Sequence, residues 1–252
     1  MIARAQLVRF LDLQLKSSTI RDYCPNGLQV EGKTHISKLV TGVTASQALL
    51  DTAVAADVDA ILVHHGYFWK NEPAEITGMK KRRLQTLLRH DINLLAYHLP
   101  LDVHPELGNN AQLGRLLGAQ NIRAVETVEP YGVLMQGELA HAIALEHLAA
   151  NIEKQLGRHV LQHGVTGQPI TKLAWCTGGG QGYIEQAAAA GAQLFITGEV
   201  SEQTIHVSRE LGIDFIAAGH HATERYGVKA LGEFIAEQLG IQVQFIDIDN
   251  PA

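Results

Sequence analysis

Ala60-Ile61-Leu62-Val63-His64-His65-Gly66 is the stretch on which the fold turns. An unbroken apolar run from Ala60 to Val63 has strand length and suits a strand buried on both faces, as in sheets covered by helices. The run stops at two adjacent imidazoles, where the chain should leave the sheet. Neighbouring strand residues point to opposite faces. His64 and His65 therefore serve a single ion awkwardly, but where the chain turns they can serve two ions, one each. Gly66 supports such a turn, because glycine tolerates backbone angles that other residues avoid. Taken alone, the pair also fits one core histidine with its hydrogen bonds met and one exposed histidine.

Outward from this strand, apolar runs alternate with Ala- and Leu-rich segments of helical period, the pattern of a sheet with helices over it. The first half predicts a strand at 38–42, a helix at 46–56, the strand at 60–63, a helix at 80–90 and a strand at 93–97. The same order returns as a strand at 172–176, a helix at 183–190, a strand at 193–197, a helix at 202–211 and a strand at 214–218. A gapless register of 134 residues sets Lys172-Leu173 over Lys38-Leu39 and Thr197-Gly198-Glu199 over Val63-His64-His65. A second register, of 122 residues, sets His220-His221-Ala222-Thr223-Glu224 over His98-Leu99-Pro100-Leu101-Asp102. Each half thus ends a buried strand with a histidine and carries a carboxylate four residues later. Any two strand-helix units share Ala-rich helices, so it is this His-x-x-x-acid element that points to duplication.

The expected fold is α/β: an internally duplicated three-layer α/β/α arrangement with a small inserted α+β segment. Residues 1–125 form the first half, 126–169 the insert, and 170–252 the second half, packing with the first. Within the insert, 131–139 and 158–162 are strand-like and 144–156 is helical with Gly157 as its stop. His141, His147, His159 and His163 show no strand-tip grouping there and suit surface or packing roles. The segment 242–248 alternates like a last strand at a sheet edge.

Composition narrows the function classes. The 252 residues can bury a substantial core. No apolar run approaches the roughly 20 residues that span a bilayer, so no membrane association is expected. Met1-Ile2-Ala3-Arg4-Ala5-Gln6 lacks the basic and apolar regions of a secretory signal, and two lone cysteines, Cys24 and Cys176, suit a reducing compartment, so a cytoplasmic location is expected. A net charge of −6 gives no chain-wide footprint for nucleic acid, and Lys80-Lys81-Arg82-Arg83 suits a solvated helix face. The unusual count is 13 histidines, several of them at the ends of expected strands.

If a helix starts after the strand ending near Ala218-Gly219, His220 and Glu224 lie on one helical face, where an imidazole and a carboxylate can reach one ion. Pro100 is expected to interrupt a helix between His98 and Asp102, leaving Asp102 as a ligand and His98 as a residue that supports the ligands or faces substrate. Imidazole with carboxylate suits zinc, iron, manganese, cobalt or nickel rather than a calcium cage. Two such ions about 4 Å apart activate a water for hydrolysis, with hydroxide as nucleophile and Glu224 or Asp102 as the bridging carboxylate. Neither cysteine occupies a nucleophile setting. Glu199 occupies the repeat position of His65; two roles are open to it, general acid or base and helix-dipole partner. Thr177-Gly178-Gly179-Gly180 lies between a strand and a helix and fits either a phosphate-receiving loop or a plain tight turn.

Read together, Pro25-Asn26-Gly27-Leu28-Gln29-Val30, Val63-His64-His65-Gly66, His98-Leu99-Pro100-Leu101-Asp102, Gly108-Asn109-Asn110, Thr197-Gly198-Glu199 and Gly219-His220-His221-Ala222-Thr223-Glu224 resemble the family of GTP cyclohydrolase I type 2 homologues, also called Nif-three-like proteins. The resemblance covers essentially the whole chain. It implies a duplicated α/β fold, a dinuclear metal site in a cleft between halves with His64, His65, Asp102, His220 and Glu224 as ligands, and a ring-shaped homohexamer. His221 falls where the family more often has a different aromatic residue, so ligation is not carried onto it. The implied activity is metal-dependent hydrolysis of a nucleotide or related small nitrogen-containing molecule, and nothing in the residues identifies a guanine pocket. Two other classes stay open: a non-catalytic metal-binding regulatory or interaction protein, and a metal store or chaperone.

Overall fold

The apolar runs become strands and the Ala- and Leu-rich segments become helices in a computed structural model that describes residues 1–252. In chain order the elements begin with β1 (Ile2–Ala3), α1 (Arg4–Leu15), β2 (Gly27–Val30), β3 (His35–Ile36), β4 (Lys38–Thr44), α2 (Gln47–Ala55), β5 (Ala60–His65), α3 (Gly78–Arg89), β6 (Asn93–Ala96) and α4 (Leu99–Asp102). They continue with α5 (Asn109–Leu116), β7 (Gln120–Ala124), β8 (Met135–Ile143), α6 (Leu145–Leu156), β9 (Leu161–His163), β10 (Ile170–Cys176), α7 (Ile184–Ala189), β11 (Leu194–Thr197), α8 (Glu202–Leu211), β12 (Asp214–Ala217), α9 (His220–Leu239) and β13 (Gln242–Phe245). Local chemistry sets several ends: the Ser46 hydroxyl accepts from the amide of Leu49 to start α2, and Gly157 takes the left-handed conformation that stops α6.

The chain forms two compact units, Met1–Leu101 with Val228–Asp249, and Asp102–Gly227 with Asn250–Ala252. In the first, five strands lie in the order β13-β4-β5-β6-β2. Four run parallel and β2 lies antiparallel against β6, so the sheet is mixed. β13 is an edge strand, as its alternation suggests. Val40, Ile61, Val63 and Leu94 pack with Leu49, Leu50 and Leu87 from α2 and α3. Leu39, Leu62 and Leu95, pointing the other way, are equally buried. Burial on both faces explains why β5 is apolar without alternation.

The second unit holds a six-stranded mixed sheet in the order β7-β8-β10-β11-β12-β9. Its central strands β10, β11 and β12 are parallel. Leu173, Trp175, Ile196 and Ile216 meet α6 on one face, and Ala174, Phe195 and Phe215 meet Ile184 and Ala187 of α7 on the other. Residues 126–169 make no sheet of their own: β8 pairs with β10 and β9 with β12. No helix is long and apolar enough to cross a membrane.

Two adjacent parallel strands of each unit pair in a matching register. Leu39 pairs with Ala60 and Leu173 with Leu194, the register of 134. The match extends to side chains. Asp59 accepts from the amides of Ser37 and Lys38 and the Ser37 hydroxyl, and Gln193 accepts from the amides of Thr171 and Lys172 and the Thr171 hydroxyl. In the strands the offset is one residue shorter than the 122 of the His-x-x-x-acid element. Val63 pairs with Ala96 and Thr197 with Ala217, which gives 121 (217 minus 96). The extra residue before His220 is Gly219, whose φ of 98° only glycine adopts readily. Pro100 does not interrupt its helix: it sits in the first turn of α4, where a missing N–H costs nothing.

Candidate metal centre

In the first unit the end of β5 delivers two imidazoles into a ring-lined nest. His64 is fully buried, and its Nδ1 lies 3.0 Å from the carbonyl of Tyr97. A carbonyl only accepts, so Nδ1 carries the proton and Nε2 the lone pair, the tautomer of a metal-binding histidine. His65 Nδ1 lies 3.2 Å from the Thr44 hydroxyl. One side-chain nitrogen from each of His64, His65 and His98 comes within 4.8 Å of the others. His98 is enclosed by Tyr23 and Trp69, each with its ring centroid 5.0 Å away. Gly66 serves by size rather than by backbone angle. A side chain there would overlap Gln29, whose Oε1 accepts from the Tyr67 amide at 2.8 Å.

His98 is oriented by a residue that the sequence reading missed. Asp22 Oδ1 lies 3.0 Å from His98 Nδ1, and Asp22 Oδ2 accepts from the Leu99 amide and from Asn26 Nδ2, each at 2.9 Å. Burial alone would raise the Asp22 carboxyl; the hydrogen bonds from His98 and Asn26 overcome it and bring the pKa down to about 2. Asp22 is thus ionised at neutral pH and its oxygens are committed to donors. Its sequence signal is slight, a polar loop residue 76 positions before its partner.

In the second unit, α4, α5, α9 and the loop after β10 collect carboxylates. Asp102 is 6% and Glu224 3% exposed, and their oxygens come within 4.8 Å of each other. Two buried carboxylates this close repel strongly, and a cation relieves that cost. Asn109, at the start of α5, orients Asp102 through Nδ2 at 2.9 Å, and its Oδ1 accepts from the Gly227 amide at 3.0 Å. Asn110 carries its own set of bonds. Its Oδ1 accepts from the Thr177 amide, its Nδ2 donates to the carbonyls of Gly132 and Val133, and its carbonyl accepts from Trp175 Nε1.

His220 and Glu224, one turn apart on α9, meet at 3.2 Å between Nε2 and Oε2, while His220 Nδ1 lies 2.6 Å from Glu199 Oε1. Burial opposes charge on this imidazole, but the hydrogen bonds and fields of Glu224 and Glu199 prevail and push its pKa up to about 9. The field that holds the proton also favours a divalent ion, which Nε2 can ligate once deprotonated. Glu199 therefore stands as the partner of His220, much as Asp22 is the partner of His98. Burial, and then the charges of Asp102 and Glu224, push the Cys176 thiol well up, which keeps it protonated.

The loop Thr177-Gly178-Gly179-Gly180 packs on these acids. A side chain at Gly178 would overlap Glu224, and the Gly178 amide donates to the Thr223 hydroxyl at 3.0 Å. With that amide committed and Glu199 and Glu224 alongside, the loop suits close packing and disfavours phosphate. The donors fit a divalent transition ion chemically: imidazoles in the first unit, an imidazole with two buried carboxylates in the second.

Comparison with known proteins gives consistent matches over full length. The family model described as Duf34/NIF3 (NGG1p interacting factor 3) matches residues 2–251. A protein of Yersinia pestis named "GTP cyclohydrolase 1 type 2 homolog" is 60% identical over 248 residues, 98% of each chain. A solved structure described as "Structural genomics, protein ybgI, unknown function" superposes with a TM-score of 0.96 at 54% identity, covering 100% of both chains. The crystal structure of TTHA1606 from Thermus thermophilus gives a TM-score of 0.91 at 35% identity, again over 100% of both chains.

Proposed function

The chain belongs to the Duf34/NIF3 family, and from that premise we propose that it is a metal-dependent hydrolase of the GTP cyclohydrolase I type 2 kind. Its substrate is a nucleotide or a related small nitrogen-containing molecule. It holds two divalent ions per chain through His64, His65, Asp102, His220 and Glu224, the ion being zinc, iron, manganese, cobalt or nickel. The observation that carries this proposal is the buried pair Asp102 and Glu224, with oxygens within 4.8 Å, beside the imidazole of His220, whose proton affinity Glu224 and Glu199 raise.

When bound, a pair of such ions supplies Lewis-acid chemistry, lowering the pKa of water toward neutrality and polarising the bond to be cleaved. The chain's own residues prepare for it. Tyr97 fixes the His64 tautomer, Asn109 holds Asp102 in one orientation, and Glu199 fixes the ring of His220. His98, held by ionised Asp22 and walled by Tyr23 and Trp69, is suited to receive or return a proton at Nε2.

The matching strand registers and the paired locks of Asp59 and Gln193 support a duplicated three-layer α/β/α architecture. Assembly as a ring-shaped homohexamer in the cytoplasm belongs to the same proposal. A turnover assay tests the activity: metal-loaded wild-type protein against GTP and a nucleotide panel, beside Glu224→Ala. Hydrolysis by the wild type that falls at least a hundredfold in Glu224→Ala, roughly the loss expected for a ligand, supports it. A fully loaded wild type that turns over nothing would favour a regulatory metal-binding role.

A further inference from the structure

Beside Asp102 the second unit contains a cavity of about 430 Å³, within the range of roughly 300–1,000 Å³ typical of small-ligand sites. Asp102, His104, Arg115, Arg123 and Tyr131 line it together with apolar residues. Arg115 comes from the last turn of α5 and Arg123 from β7. Neither guanidinium is paired with a carboxylate. Arg115 donates to the Glu106 carbonyl at 3.0 Å; Arg123 donates to the Asn121 carbonyl at 3.3 Å and to Gln136 Oε1 at 3.5 Å. Each guanidinium has five N–H donors and thus keeps most of them for a ligand. Tyr131, 62% exposed, presents a flat ring to the same space.

We infer that this cavity binds a nucleoside phosphate, with the base against Tyr131, the phosphates on Arg115 and Arg123, and the portion to be hydrolysed directed toward Asp102. The inference rests on the hydrolase proposal for its reacting end alone. A chain of net charge −6 repels anions at long range, so a phosphate needs a local pair of uncompensated cations, and the arginines provide one. The glycine loop at Thr177 does not compete for it, since its Gly178 amide is committed and carboxylates flank it.

Isothermal titration of the metal-loaded protein with GTP, inorganic triphosphate and guanosine tests the subsite, with metal content measured on the same samples. Replacing both arginines, Arg115→Gln with Arg123→Gln, should weaken GTP and triphosphate by about tenfold to a hundredfold and leave guanosine unchanged. Tyr131→Leu should weaken GTP and guanosine and leave triphosphate unchanged. Metal content should stay at the wild-type level in both variants. Wild-type affinity for GTP in the double arginine variant, or a loaded wild type that binds none of the three probes, overturns the subsite. A wild type that takes up no metal yet binds GTP through the arginines refutes the hydrolase proposal and upholds the subsite.

Discussion

At Gly178 a single methyl group is enough to disturb the acids of the second unit. A side chain there would overlap Glu224, and a φ of 64° strains any residue but glycine. Gly178→Ala should lose roughly 2 kcal/mol or more of unfolding free energy and part of its metal affinity. Wild-type denaturant melts and metal content would contradict that packing. Asp59 offers a test by pH. Burial opposes its ionisation, but bonds from Lys33, Ser37 and Lys38 bring its pKa down to about 2 from 3.8. A depressed carboxylate stabilises the fold above its unfolded pKa and loses that contribution as pH falls through the folded value. The loss should run from about pH 4 to pH 2 and total on the order of 2 kcal/mol. Asp59→Asn should flatten that part of the stability profile; an unchanged acid slope would remove Asp59 as its cause. Gln193, in the equivalent place of the second unit, makes the matching bonds without a titrating group.

At the scale of elements, α5 illustrates what could and could not be seen in the sequence. Strands β5 and β11 were legible because burial on both faces makes them continuously apolar, and α2 and α6 because Ser46 and Gly157 mark their ends. Gly108-Asn109-Asn110 stood out as a motif without a stated role, because Asn109 acts on Asp102 and Gly227, and Asn110 on Gly132, Val133 and Thr177. Such long-range partners leave no periodicity. Asp22 escaped for the same reason. The slip at Gly219 escaped because a gapless comparison cannot register one extra left-handed residue. Asn110→Ala should cost about 2–4 kcal/mol by stranding several buried polar groups at once, as read from denaturant melts. A loss below roughly 1 kcal/mol would show those groups rebonding elsewhere. Asn109→Ala should act differently, lowering metal affinity about tenfold to a hundredfold with a smaller loss of stability, since its bond orients Asp102. Unchanged affinity by metal titration would assign Asn109 to the fold alone.

Over the whole molecule, the recurrence of two strand-tip elements is visible in the sequence, whereas the division into units is not. The unit boundaries fall at Leu101 and Val228, inside helices, where composition does not change. The insert is likewise marked by a change of pattern, yet its strands extend the sheet of the second unit. The proposed ligands are His64, His65, Asp102, His220 and Glu224. If they are ligands, as proposed, replacing any one of them lowers the metal content. Metal analysis of purified, reloaded wild-type protein beside His64→Ala and Glu224→Ala examines this most directly. About two transition ions per chain in the wild type, falling in both variants while the fold is retained, is the expected result. No bound ion in the reloaded wild type, or full occupancy in both variants, would contradict the proposed centre.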